Sequence, residues 1–220
     1  MTLEEFDKLT TMEQIDYFEN QPTTRSYRKT LVYGVGINDV SFKTGTTIEG
    51  KTRQHPAYHR WNKILERCYS EKSHKDHPTY KNCVVCEDWK LFSNFNKWFK
   101  EHYVEGYQID KDILFFNNEI YSADTCIFIP RWVNLFVTAR NNSRGKYKIG
   151  VHFDKATCKF KSTCSVNSKQ LVLGLFDNEE EAHAVWLNCK LQQLLNNKEV
   201  IDRIDIRLYN ALVNKVMNLK

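Results

Sequence analysis

Residues 147–196 constrain the fold more tightly than any other stretch. Three short alternating runs, Tyr147–Asp154, Lys159–Val166 and Leu171–Asp177, precede Asn178–Trp186, whose apolar residues follow helical spacing. That order predicts a small three-stranded antiparallel sheet braced on one face by an amphipathic helix. Its second face is then free to meet a partner. The strands and their flanks carry Lys146, Lys148, Lys155, Lys159, Lys161 and Lys169 against a single acid, Asp154. A basic sheet of this size has the shape and charge for a groove of duplex DNA. The candidate contacts are Lys146, Lys148, His152, Lys159, Lys161, Thr163 and Lys169.

The net charge of +5 on 220 residues permits nucleic-acid binding without requiring it, but the charge is unevenly spread. Residues 1–20 hold six acids and one Lys, whereas residues 140–170 are strongly basic. No apolar run reaches the ~18 residues of a membrane span. The start, Met-Thr-Leu-Glu-Glu, lacks the basic and apolar regions of a secretion signal, so the expected compartment is the cytoplasm. There the seven cysteines read as metal ligands or buried thiols rather than a disulfide framework. Cys158, Cys164 and Cys189 are expected as buried small apolar residues.

The chain reads as mixed α+β. Residues 1–54 form an N-terminal helix (2–19, with Thr2 and Glu5 as a capping box) and an arm containing a loop or weak hairpin. Residues 55–140 form the middle core, and residues 146–220 hold the three-stranded sheet and C-terminal helices. Within the core, a helix over 56–69 precedes a loop at 72–78. The aromatic series Trp89, Phe92, Phe95, Trp98, Phe99 then predicts a helix whose aromatic face is core. Residues 107–114 alternate like a strand, residues 125–129 form a second strand, and Pro130 opens a helix. The polar run Asn141–Gly145 is the expected domain boundary. A last helix spans 200–219.

The order Cys-x-x-Cys, helix, strand, turn, strand, helix matches a hairpin followed by a helix that grips one divalent ion, the ββα-metal core of HNH nucleases. In that chemistry a strand carboxylate and a helix Asn or His hold Mg²⁺, which stabilises the transition state of phosphodiester cleavage. A His beside the carboxylate activates water. Here Asp110 and Asn134 are the candidate Mg²⁺ ligands, 24 residues apart. Lys111 stands where the base His would be, and a lysine near its reference pKa of ~10.4 cannot accept a proton at neutral pH. Asp112, His102 and the His74/His77 pair are the nearby alternatives. The candidate zinc ligands are Cys68, Cys83, Cys86 and Cys126. The second Cys-x-x-Cys expected of a zinc-stapled core is broken, because the residue three after Cys126 is Ile129.

Two resemblances follow from these residues. Tyr147, Gly150, Val151, Leu173–Asp177 and Glu180–Trp186 resemble the DNA-binding domain of plant ethylene-response factors, which also occurs in phage homing endonucleases. Residues 57–138 resemble the HNH-like segment of tailed-phage proteins. The shared residues are Trp61, Arg67–Tyr69, Pro78–Tyr80, Cys83/Cys86, Trp89, Phe92/Phe95, Ile109–Ile113, Tyr121–Ser122, Cys126 and Asn134. Together the resemblances cover about three fifths of the chain. They imply a phage-type endonuclease acting on double-stranded DNA in an infected bacterial cell, with structural Zn and catalytic Mg. The strands lack the Arg of that family's readers and carry Lys and hydroxyl residues instead, which suits phosphate contact better than base readout. Two other readings stay open. One is a DNA-binding regulator on a degenerate nuclease core, with Lys111 contacting phosphate. The other is an inhibitor of a host protein, using helix 2–19 and the apolar face of 200–219.

Overall fold

The structure, a computed structural model, describes residues 1–23, 30–137, 146–167 and 169–219. The expected boundary at Asn141–Gly145 lies outside the described residues. The fold is mixed α+β with small sheets. It divides into two units: Met1–Asp112 with Asn117–Phe128, and Ile113–Phe116 with Ile129–Lys220.

The first unit opens with α1 (Leu3–Asp7) and α2 (Thr11–Glu19) in place of the single helix expected over 2–19. Thr2 and Glu5 form the expected capping box, and Thr10 with Glu13 forms a second one that stops the first helix and starts another. A hairpin of β1 (Gly45–Ile48) and β2 (Lys51–Gln54) turns through Glu49 and Gly50, both at positive φ. Then come α3 (Pro56–Tyr69) and α4 (Glu71–Asp76). The latter falls where a loop was expected, because Ser70 caps it by accepting from the Ser73 amide at 3.3 Å. β3 (Val84–Val85), α5 (Phe92–His102), β4 (Gln108–Asp110), β5 (Ile120–Tyr121) and β6 (Ile127–Ile129) complete this run. β3 pairs in parallel with β5, and β4 pairs with β6.

The aromatic face of α5 is core, as its spacing predicts. Phe92, Phe95 and Phe99 are fully buried with Trp61 and Leu65 of α3. The Trp61 indole N–H donates to the Trp89 carbonyl at 2.6 Å, so the largest side chain of the core leaves no buried donor unpaired. The strand expected over 107–114 shortens to β4. Its cause is local: the Asp110 carboxylate accepts from the Asp112 amide at 2.8 Å and turns the chain out of the ladder.

His55 caps α3 from inside this core. Its Nδ1 accepts from the Tyr58 amide at 3.4 Å, and its ring stacks on Phe42 and lies edge-on to Phe92, at 5.4 and 5.6 Å between centroids. Nε2 is buried, 3.8 Å from the Glu19 carboxylate and without a hydrogen-bond partner. Burial pushes the imidazole pKa down to about 4, against the attraction of Glu19.

The second unit contains α6 (Arg131–Val137), β7 (Val151–Asp154), β8 (Lys159–Val166), β9 (Lys169–Phe176), α7 (Glu179–Asn196), α8 (Lys198–Ile204) and α9 (Leu208–Met217). The three strands pair antiparallel in the order β7-β8-β9, as the alternation predicts. The last helix, expected over 200–219, is two. Asp205 accepts from the Arg207 amide at 2.8 Å and its carboxylate holds the Arg207 guanidinium, which breaks the run. α7 starts at Asn178, whose side chain accepts from the Glu181 amide at 2.8 Å. Glu179, Glu180 and Glu181 in its first turn complement the helix dipole. Gly150 lies at φ +82 against Trp186 of α7, where any Cβ would stand 2.1 Å from the indole. Cys164 is buried as expected, Cys189 is half-buried, and Cys158 is exposed, at positive φ in the β7–β8 turn. Among the described residues, no helix is long and apolar enough to cross a membrane.

Candidate nucleic-acid interface and a buried lysine–thiol cluster

The sheet of the second unit has one face covered at its middle by α7, with Phe153 and Leu171 exposed toward its ends, and one open face. Ser162 and Cys164 of β8 are buried, and Cys164 meets the Gln193 amide of α7 at 3.3 Å. Directly opposed residues share a face. The register therefore puts His152, Lys161 and Leu175 in one row across the open face, Thr163 with Val172 in the next, and Ser165 with Gln170 beyond. Asp154 and Lys159 close the other end. Gln170 donates to the Thr163 hydroxyl at 3.2 Å. Val172 is 60% and Leu175 42% exposed, so this face is uncovered at its centre.

Four of the expected contacts, His152, Lys159, Lys161 and Thr163, thus share the open face. Lys169 lies on the opposite parity at the tip of the β8–β9 hairpin, and Lys146 and Lys148 precede β7. Several lysines already have partners: Lys159 pairs with Asp177 at 3.1 Å, Lys148 pairs with Glu180, and the Lys146 ammonium sits 5.0 Å from the Tyr147 ring centroid. Exposed pairs of this kind contribute about 0–1 kcal/mol, so a phosphate can displace the carboxylate.

Gln170, Val172 and Leu175 belong to the face and were absent from the sequence reading. The β8–β9 register shifts between Ser162 and Thr163, leaving Leu173 unopposed, and this bulge reverses the parity of β9. Gly174, an isolated glycine in a strand, was the available signal.

In the first unit, Lys111 is 6% exposed and its ammonium points inward. It donates to Asp112 Oδ1 at 2.5 Å and to the Asn118 carbonyl at 2.6 Å, and the Cys83 thiol is close enough to favour its charge. The Tyr121 ring centroid lies 5.6 Å away. Cys68 and Cys126 are near enough to feel the same charge. Burial pushes both thiols up to about 12 and raises Cys83 as well, so all three are protonated at neutral pH. Burial is the largest influence on Lys111 and opposes its charge, but the hydrogen bond and charge of Asp112, together with Cys83, outweigh it and hold the pKa above its ordinary value. Lys111 therefore neither accepts a proton nor reaches a phosphate in this arrangement.

Cys83 and Cys86 flank β3, and Cys68, Cys83 and Cys126 lie close enough to the Lys111 ammonium to feel its charge. Among the described residues no group of three or more His, Cys, Asp or Glu side chains is disposed to hold a metal ion. Of the expected magnesium ligands, Asp110 ends β4 in the first unit and Asn134 lies on α6 in the second. Compared with models of known families, with curated proteins and with solved structures, the chain finds no match.

Proposed function

We propose that this protein binds double-stranded DNA through the open sheet face of its second unit. One observation carries the reading: a face rimmed by Lys159, Lys161 and His152, with Thr163, Gln170, Val172 and Leu175 at its centre, is left uncovered while α7 packs on the middle of the opposite side at Ser162 and Cys164. Two strand spacings of ~4.8 Å make the sheet about 10 Å wide, and a B-DNA major groove is ~12 Å wide. The lysines suit phosphates, Gln170 and Thr163 can meet base edges, and the two aliphatic side chains suit thymine methyls. Fluorescence anisotropy on a duplex tests it. Lys161→Glu should weaken binding at least about tenfold, by exchanging an attraction for a repulsion, whereas Lys8→Glu, just after the acidic α1, should not. Equal affinities of both variants and wild type would overturn the assignment.

The order β4, β6, α6 favours a second reading, an HNH-like endonuclease on a ββα-metal core. Asp110, at the end of β4, would then be a Mg²⁺ ligand, the ion supplying electrostatic stabilisation of the transition state. Asp112 is tied to Lys111, which leaves the base unassigned. Nicking of supercoiled plasmid by wild type with Mg²⁺ or Mn²⁺, lost with EDTA and in Asp110→Ala, would establish cleavage. Salt-sensitive binding without nicking leaves the protein a DNA-binding factor.

A further inference from the structure

The centre of the open face is built from one amide, one hydroxyl and two aliphatic side chains. On β9, Gln170 stands opposite Ser165 and Val172 stands opposite Thr163. The Gln170 amide donates to the Thr163 hydroxyl at 3.2 Å. That bond uses one of the two N–H groups and fixes which end of the amide carries nitrogen. One N–H and the carbonyl oxygen are left for a ligand, in a set order. Adenine offers the complement in the major groove, an N7 acceptor beside an N6 amino donor. Val172 follows Gln170 by two residues, ~7 Å along the strand or about two base-pair steps. Val172 is 60% and Leu175 42% exposed, and neither side chain can hydrogen-bond. The apolar group that the major groove offers them is the thymine methyl. The three strands contain no Arg, the side chain most often found on guanine.

We infer that this face selects A·T pairs in the major groove: Gln170 meets adenine, and Val172 and Leu175 meet thymine methyls. Thr163 is a positioning residue that holds the Gln170 amide in the order adenine requires. The inference rests on the docking of this face on DNA proposed above and adds sequence selectivity to it. The lysines at the rim attract any duplex alike, because a phosphate carries no base identity. Selectivity therefore falls to the centre, where the side chains present one donor–acceptor pair and two apolar groups.

The test uses the full chain and fluorescence anisotropy on duplexes of equal length: one of mixed A·T sequence, one of mixed G·C sequence, and the A·T duplex with 7-deazaadenine, which lacks the N7 acceptor. Wild type should prefer the natural A·T duplex over the G·C duplex by about 5–100-fold, and the 7-deazaadenine duplex should lose most of that preference. Gln170→Ala should lose most of it too, with affinity for the G·C duplex unchanged. Thr163→Val should lower the preference and Thr163→Ser should restore it, a pattern that a purely structural role for the hydroxyl would not give. Equal, salt-sensitive binding of wild type to the A·T and G·C duplexes would overturn the inference and leave the docking reading standing. So would a preference that survives both 7-deazaadenine and Gln170→Ala. Absence of salt-sensitive binding to either natural duplex would overturn both.

Discussion

His55 should make the first unit acid-sensitive well above the pH at which its carboxylates titrate. In the unfolded chain the imidazole has its ordinary pKa of about 6.5; in the folded protein burial pushes it down to about 4. A depressed pKa contributes stability that is fully present above pH 6.5 and is lost as pH falls toward 4, because the unfolded chain takes up a proton that the folded one refuses. The shift of about 2.5 units at 1.36 kcal/mol each gives a loss of about 3 kcal/mol across that window. Protonation also takes the Nδ1 lone pair from the Tyr58 amide and so removes the cap of α3. His55→Asn keeps a good capping oxygen and discards the titration. It should be less stable at pH 7.5, by roughly 2 kcal/mol for the lost ring packing, yet lose much less than wild type between pH 6.5 and 5. Urea titrations followed by tryptophan fluorescence measure both slopes. Parallel loss in the two proteins across this window would refute the assignment.

Other positions give sharper yes-or-no tests. Gly150→Ala meets both a positive φ and the Trp186 indole, and should cost about 2–4 kcal/mol of unfolding free energy. Gly50→Ala, at φ +77 with open space around it, should cost only about 1 kcal/mol in the same denaturation assay. Trp61→Phe removes the donor to the Trp89 carbonyl and part of the core volume, and should cost about 2–4 kcal/mol by urea denaturation. Lys148→Ala and Lys159→Ala break exposed ion pairs and should change stability by under about 1 kcal/mol, while each lowers the salt dependence of DNA affinity by about one unit of slope.

The elements that could be read from sequence are those whose cause is local. The three strands and α7 follow from period-two alternation and the Asn178 cap, and α3 and α5 from helical spacing over more than two turns. The break at Thr10 with Glu13 was legible too, but a continuous apolar pattern masked it, while Ser70 was the only signal of α4, whose polar residues read as a loop. Lys111 carried a signal of its own: Tyr107, Ile109, Lys111 and Ile113 share a parity, which places the lysine on the apolar side. What stayed hidden depends on residues far apart in the chain. The burial of His55 requires Phe18, Phe42 and Phe92, and the grouping of thiols around Lys111 requires α3, β3 and the β5 loop to converge. The open face was half legible. Lys161 and His152 follow from alternation, but the bulge at Leu173 determines that Val172 and Leu175 join them.

The most direct test of DNA docking by the sheet is the salt dependence of affinity for a duplex. Four to six phosphate contacts from the lysines on and beside the face predict a slope of log affinity against log salt of roughly −4 to −5, becoming shallower in Lys161→Glu. A slope near zero, or one that Lys161→Glu leaves unchanged, would contradict the account.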